Sequence, residues 1–323
     1  MMKQTISILA VTILLALLVP QFADLHMYSV ITTILIWVIL GHAWNLLGGF
    51  TGQVSFGHAM YLGIGAYTSM NVVNELQLDL FLSLLLGGLL AGLVSIPIGL
   101  MIFRLKGAYF GLGTLAIAEI ALIVARNWKS VTNGGEGMML DHTPAFLGIE
   151  ISSKPEYFFL SLFLACLVTL FCYYFMKTKT GYGFIAIRES QEAAEAMGLS
   201  SVKYKSTALF LSAFLAGFGG ALYGMYNKFI DPEMTMVVHM SAEMIFITVL
   251  GGIGTILGPV IGSALLISLQ EFLKGITWLQ TFPSLYLVIY GLLIMLVIVY
   301  LPGGILDGFK KLKSLLWKKG ESS

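Results

Sequence analysis

The residues able to carry chemistry are few in this sequence, and their spacing fits no catalytic centre. The patterns HExxH, GxSxG and CxxC do not occur. Gly303–Gly308 is similar to a phosphate-binding loop, but Phe309 and Lys310 follow it, so the lysine is out of place. Cys166 and Cys172 share one apolar run, where thiols act as small apolar side chains. The sequence therefore predicts a protein that is not an enzyme and has no cofactor, and an ion gradient or a partner must drive any active work.

A second set of polar residues and glycines interrupts stretches that are otherwise apolar. Non-helical backbone inside a membrane must line water or be buried in protein. Paired broken segments in the two halves of a chain are typical of a transport pathway. For His58, the alternative to a role in the pathway is a hydrogen bond that only stabilises the structure. The candidates for the pathway or the broken helices are Asn45, Gln53, Ser55, His58, Glu119, Gly251, Gly252 and Gly254.

Glu119 is the deepest acid in the apolar runs. An ionised carboxylate there costs about 2.5–3.5 kcal/mol on insertion scales. We therefore expect Glu119 to face the bundle interior or to be protonated, either as a helix–helix hydrogen-bonding residue or as a pathway residue. Glu243 and Glu271 also lie in or near spans, and no basic residue is deep enough to pair with the three acids. Ion-coupled carriers usually have such pairs, so the sequence disfavours that class.

The composition indicates the elements that must position these residues. Of 323 residues, 58% are hydrophobic and 11% are charged, and the mean hydropathy is +0.89. An ordinary soluble domain has about 25% charged residues. A net charge of +1 gives no basic face for a nucleic-acid partner. The sequence predicts an all-α polytopic membrane protein, a single transmembrane domain over residues 1–323.

Charge-free runs of about 20 residues predict about ten transmembrane helices. Two runs are too long for one crossing and contain glycine-rich segments, Gly48–Gly57 and Gly251–Gly262, which we expect to be broken or re-entrant. The first run has no small-x-small cleavage site and is expected to be retained as a span. The predicted spans lie near 6–22, 28–47, 56–74, 80–103, 108–125, 157–176, 206–226, 242–257, 259–274 and 285–301.

The basic residues predict the orientation of these spans. With ten spans, both termini lie on one side, together with 13 of the 18 basic residues. The positive-inside rule makes that side cytoplasmic. The 13 residues are Lys3, Arg104, Lys106, Lys177, Lys179, Arg188, Lys203, Lys205, Lys310, Lys311, Lys313, Lys318 and Lys319.

Two connections are long enough to carry function. The external loop 126–156 contains a turn-rich stretch, and it is either a flexible connector or a surface for an external partner. Its candidate docking residues are Thr132, Asn133, Gly134 and Gly135. The cytoplasmic segment 177–205 contains a predicted helix, Ile185–Met197, with Arg188 and Glu192 at an i,i+4 spacing and Gly198 just beyond its end. Its acids disfavour an anionic lipid surface, which leaves its own chain or a partner as the surface that it contacts.

Five stretches in chain order carry a family resemblance. They are NLLGGFTGQVSFGHA (45–59), LKGAYFGLGTLA (105–116), TNGGEG (132–137), RESQEAAEAMG (188–198) and VLGGIGTILGP (249–259). Together they resemble the LivM-type permease subunit of branched-chain amino-acid ABC importers. The fourth contains EAA-x3-G, the core of that family's coupling motif, and Asn133 departs from the pattern where glycine is common.

The resemblance implies a heteromeric importer in a bacterial or archaeal inner membrane. Its other parts are a second homologous permease, two cytoplasmic ATPases and an external or periplasmic substrate-binding protein. The coupling role falls on Glu192, Ala193, Ala194 and Gly198, to which we add Arg188. Related subunits serve urea or short-chain amides, so the substrate stays open. A stand-alone secondary carrier or channel is the alternative class, while a membrane enzyme is disfavoured by the lack of a paired acid and base.

Overall fold

The described part of the chain is mostly helical. The computed structural model describes residues 12, 14–105, 107–276, 283–300 and 303–307, and residues 14–22 are helical. The longer helices that follow are α1 (Leu25–Trp44), α2 (His58–Leu76), α3 (Leu80–Ile102), α4 (Ala108–Asn127), α5 (Lys154–Phe175), α6 (Lys179–Glu189), α7 (Gln191–Ala196), α8 (Ser201–Asn227), α9 (Val238–Gly251), α10 (Gly258–Gly275) and α11 (Pro283–Tyr300). Short helical turns lie at Lys129–Thr132, Gly134–Glu136 and Pro232–Thr235. The two-residue strands are β1 (Met138–Met139), β2 (Ala145–Phe146), β3 (Ile149–Glu150) and β4 (Phe229–Ile230).

Within these described residues, six helical stretches are long and apolar enough to cross a membrane. The chain is therefore a multi-pass membrane protein, and the count of ten spans stays a prediction. The first predicted span lies largely outside the described residues, as do both termini and the five lysines between 310 and 319. The six stretches are Leu25–Gly49, Leu80–Ile102, Ala108–Asn127, Lys154–Phe175, Ser201–Asn227 and Pro232–Gly251.

Helix α8 lies at the centre of the bundle, against α1, α2 and α3. Glycines allow this close packing, because a Cβ on Gly65 of α2 would overlap the backbone of Gly217. Likewise, a Cβ on Gly220 would overlap the carbonyl of Leu62. In a bilayer, the hydrophobic effect does not drive helices together, and close packing at small residues holds them in contact instead. The close approach of α2 and α8 fixes the position of the polar residues at the start of α2.

The loop 126–156 is folded against one end of the bundle. Its strand β1 pairs antiparallel with β4, which follows α8. The Asn71 side chain donates to the Val131 carbonyl at 3.0 Å, and the Asn74 side chain donates to the Met139 carbonyl at 2.8 Å. Both asparagines belong to the last turns of α2, so the loop covers the carboxyl end of that helix.

The single helix predicted over Ile185–Met197 is wrong, because the chain breaks at Ser190. Its backbone is extended there (φ −160°, ψ 108°), and its side chain caps α7 by accepting from the Ala193 N–H. Serine competes with the helix backbone through such local hydrogen bonds, which favours a cap over a helix interior. The predicted Arg188–Glu192 pair does not form, and Arg188 pairs with Glu189 at 2.7 Å instead.

Candidate functional site

The two glycine-rich segments contact each other through one buried side chain, that of Asn45. Its Oδ1 accepts from the Gly254 N–H at 2.9 Å, and its Nδ2 donates to the Thr255 carbonyl at 2.8 Å. Asn45 is fully buried. A buried amide that satisfies both backbone groups of a neighbouring loop fixes the register between the two segments. We call Asn45–Gly52 together with Gly251–Thr255 the glycine junction.

The first segment begins as a π-helical turn over Asn45–Gly49, and helical backbone continues to Thr51. The break is therefore at 52–57, later than the predicted start at Gly48. A Cβ on Gly48 would overlap the Trp44 indole, and one on Gly49 would overlap the Asn45 side chain. These two glycines thus make room for side chains of the preceding turn. Single π turns inside α-helices occur frequently at functional sites.

The second segment is a tight connection between α9 and α10. Gly252 and Gly254 have φ values of +132° and +68°, which side-chain-bearing residues rarely adopt. A Cβ on Gly251 would overlap the Gly258 carbonyl, so the two helices meet with almost no space between their backbones. The conformation and packing of this segment therefore require glycine at these three positions.

Arg188, at the end of α6, contacts both halves of the glycine junction. Its Nη1 donates to the Gly49 carbonyl at 3.1 Å. A Cβ on Gly52 would lie 3.1 Å from the Arg188 Cγ, and a Cβ on Gly254 would overlap its guanidinium. The same guanidinium is held by Glu189. A side chain of the predicted coupling segment therefore lies directly against both helix breaks.

Ser55 and His58 are buried in a hydrogen-bond chain beside the junction. The Ser212 hydroxyl donates to the Ala43 carbonyl at 2.6 Å, so it accepts from His58 Nε2, also at 2.6 Å. His58 Nδ1 then accepts from the Ser55 hydroxyl at 3.2 Å. This chain joins the ends of α1 and α2 to α8 and uses both ring nitrogens. Gln53 is partly exposed, and its backbone N–H donates to the Leu47 carbonyl at 3.1 Å.

Helix α7 ends at Ala196, and Gly198, predicted to lie just beyond the helix end, has a φ of +88°. The Gly198 N–H donates to the Glu195 carbonyl and the Leu199 N–H to the Ala194 carbonyl, the two bonds of a Schellman motif. Ala194 is 1% exposed, so it packs into its own chain and leaves no surface for a partner. The coupling role predicted for Ala194 therefore does not involve direct contact of its side chain with a partner.

The outer side of α7 is formed by other residues. Glu192 and Ala193 are exposed, and Met197 is 74% exposed. Met197 was not among the predicted coupling residues, and it adds an apolar side chain to this exposed surface. Gln191 fixes α7 to α8, since Lys205 Nζ donates to its Oε1 at 2.8 Å.

Two of the four predicted docking residues in the external loop serve the loop itself. Thr132 is 5% exposed and its hydroxyl donates to the Trp128 carbonyl at 2.8 Å, while Gly134 is buried with a φ of +62°. Asn133 and Gly135 are exposed. A polar groove of about 600 Å³ adjoins them, lined by Asn71, Asn74, Glu75, Lys129, Ser130, Val131, Asn133, Glu136, Gly137, Met138, Met139, Asp141 and Phe229.

Glu119 does not face the interior of the described bundle, so the first of the two alternatives expected for this residue is wrong. Its side chain is exposed on the outward surface of α4. The reason is that α4 packs only lightly on the described bundle. Only a third of its most apolar 18-residue stretch is buried.

Six helical stretches of the described residues, long and apolar enough to cross a membrane and packed around a glycine junction, define a multi-pass membrane protein. The model of the family "Branched-chain amino acid transport system / permease component" matches residues 26–298. The chain belongs to this family.

Three proteins similar to this chain are named as permeases of branched-chain amino acid transport. The high-affinity branched-chain amino acid transport system permease protein LivM of Escherichia coli is 27% identical over 94% of this chain and 75% of its own length. The probable LivM of Methanocaldococcus jannaschii is 23% identical, with 86% and 93% covered. The LivH permease of Escherichia coli is 24% identical, with 87% and 94% covered. No solved structure matches the chain.

Proposed function

We propose that this chain is a permease subunit of an ATP-driven importer of branched-chain amino acids. The chain forms half of the translocation pathway, and partner ATPases supply the energy. Family membership and the names of the relatives support this substrate class over urea or short-chain amides. The partners are a second homologous permease, two cytoplasmic ATPases and an external substrate-binding protein.

The contact of Arg188 with both halves of the glycine junction is the observation that carries the proposal. α6 and α7 lie at the junction end of the bundle, and the loop 126–156 covers the other end of α2, about 28 Å away along that helix. An ATPase that moves α7 therefore acts on both helix breaks through one side chain. In the proposed topology of about ten spans, the junction end and both termini face the cytoplasm, and the cell membrane is bacterial or archaeal.

Reconstitution in proteoliposomes tests the function. The chain, its second permease, the ATPases and the binding protein are combined, and radiolabelled leucine uptake is measured with ATP and with a non-hydrolysable analogue. We expect uptake with ATP alone, competition by isoleucine and valine, and none by urea or acetamide. Leucine uptake that continues with the analogue would instead indicate a secondary carrier or channel.

A pair of substitutions tests the coupling surface. Ala193→Trp places a bulky ring on the exposed side of α7, and overpacking typically costs about 1–3 kcal/mol. This weakens ATPase docking by about one to two orders of magnitude, measured by co-purification. The matched control, Ser130→Trp, changes an exposed small residue at the opposite end and should leave docking unchanged. Equal co-purification of both variants with the ATPase would contradict a docking role for α7.

A further inference from the structure

The outward face of α4 differs from the other outward faces of the bundle. Leu112, Ala116, Glu119 and Ile123 follow one another at helical spacing and are all exposed. Glu119 stands about 17 Å along α4 from its first residue, near the middle of a span. Among the described residues, no hydrogen bond or ion pair reaches its carboxylate.

The outward faces of α3 and α5 lack such a group. The exposed residues of α5 include Phe159, Phe163, Leu167 and Phe171, and those of α3 are equally apolar. These faces are suited to lipid tails. A small residue, Ala116, and an acid, Glu119, stand on α4 where α5 presents rings.

The buried acid Glu243 differs from Glu119 in that its carboxylate has a hydrogen-bond partner within the chain. Glu243 of α9 is 6% exposed, and Gln270 donates to its Oε1 at 2.5 Å. Ionisable residues in membrane spans face either the protein interior or a water-filled cavity. Glu119 does not face the interior of its own chain, and a carboxylate in lipid costs about 2.5–3.5 kcal/mol. For an ionised Glu119, the remaining environment is water enclosed between this chain and another membrane subunit.

We infer that the outward face of α4 lines the translocation pathway opposite the second permease, and that Glu119 receives the ammonium group of the transported amino acid there. This inference rests on the proposed function for its substrate. A carboxylate at mid-membrane is an acceptor for a cationic N–H group, and charge-assisted hydrogen bonds are the stronger ones. The apolar neighbours Leu112 and Ile123 suit an aliphatic side chain.

Thiol labelling tests the position of Glu119 without any substrate. In a chain with Cys166→Ala and Cys172→Ala, the variants Glu119→Cys and Phe163→Cys are each assembled with the partner subunits and treated with a charged methanethiosulfonate. Phe163 is the matched control, because it is exposed at mid-span on α5. Since the thiolate is the reacting form, we expect labelling of Glu119→Cys to be at least about tenfold faster. Equal, slow labelling of the two would overturn the pathway position.

Leucine uptake tests the role of the charge. Glu119→Gln keeps the side-chain volume and removes the charge, so the rate of leucine uptake at low concentration should fall about tenfold or more. Glu119→Asp should recover part of that loss, and membrane insertion of each variant is checked by its yield in the purified complex. Wild-type uptake by Glu119→Gln would overturn the ammonium contact.

The two proposals fail in distinguishable ways. If the wild-type complex takes up no leucine with ATP, the proposed function is wrong, and labelling still decides whether α4 lines a water-filled path. If wild-type uptake is normal but Glu119→Cys is labelled no faster than Phe163→Cys, only the inference about α4 is wrong.

Discussion

The two ends of the bundle are held together in different ways. At the junction end, α6 contacts the helix breaks through its residue Arg188, which donates a hydrogen bond to a single carbonyl, that of Gly49. At the opposite end, the loop 126–156 is fastened by β-pairing and by two asparagine side chains of α2. The first arrangement brings one side chain against two helix breaks. The second arrangement fixes the position of the loop 126–156 relative to α2.

The largest expected effect concerns the centre of the junction. Asn45→Ala leaves the Gly254 N–H and the Thr255 carbonyl without their partner in a partly buried site. Each lost hydrogen bond costs about 0.5–1.5 kcal/mol, so the free energy of unfolding should fall by about 1–3 kcal/mol. Thermal unfolding of the purified complex measures the loss.

Asn127→Ala is the matched control for Asn45→Ala. Its side chain donates to the Ile123 carbonyl on an exposed part of α4, where water replaces the lost bond. An equal fall in unfolding temperature for the two variants would contradict the account of Asn45 as the link between the segments.

Arg188→Gln should have a smaller effect on stability and a clear effect on coupling. It removes the charged hydrogen bond to Gly49 and the ion pair with Glu189. A hydrogen bond to a charged group contributes about 1.5–3 kcal/mol, so leucine uptake per ATP hydrolysed should fall about tenfold or more. Lys203→Gln, an exposed change on α8, is the control. Unchanged uptake per ATP in Arg188→Gln would remove the link between the coupling helices and the breaks.

The smallest effect belongs to the opposite end. Arg126 and Glu233 form an ion pair with both side chains well exposed, at 44% and 58%. Exposed pairs contribute about 0.2–1 kcal/mol, so Arg126→Gln should lower the free energy of unfolding by no more than that and leave uptake unchanged. Uptake measured at the same protein level checks this, and a tenfold loss would show that this end also transmits motion.

The sequence was sufficient to place helix ends close to Gly52 and Gly252 and just before Gly198. Glycine-rich interruptions of apolar runs and the EAA-x3-G pattern are local signals. The sequence was not sufficient for the direction of side chains on the spans. A helix such as α3 is apolar all round and carries no periodic signal for its buried face. The burial of Ala194 and the exposure of Glu119 both depend on which helices pack against them.

The break at Ser190 was missed for a related reason. Alanines and glutamates on both sides of Ser190 favour a continuous helix. In the structure, Ser190 caps α7 instead, and α7 packs against α8. The contact of Arg188 with Gly49 joins residues 139 positions apart, which local patterns cannot predict.

Photocross-linking tests most directly the claim that the junction end carries the ATPase contact. The photoreactive residue p-benzoylphenylalanine is placed at Met197, or at Ile149 of β3, which is 68% exposed at the opposite end. In the assembled transporter, we predict that the Met197 position cross-links to an ATPase subunit and the Ile149 position does not. Cross-linking of the ATPase from Ile149 and not from Met197 would contradict the account.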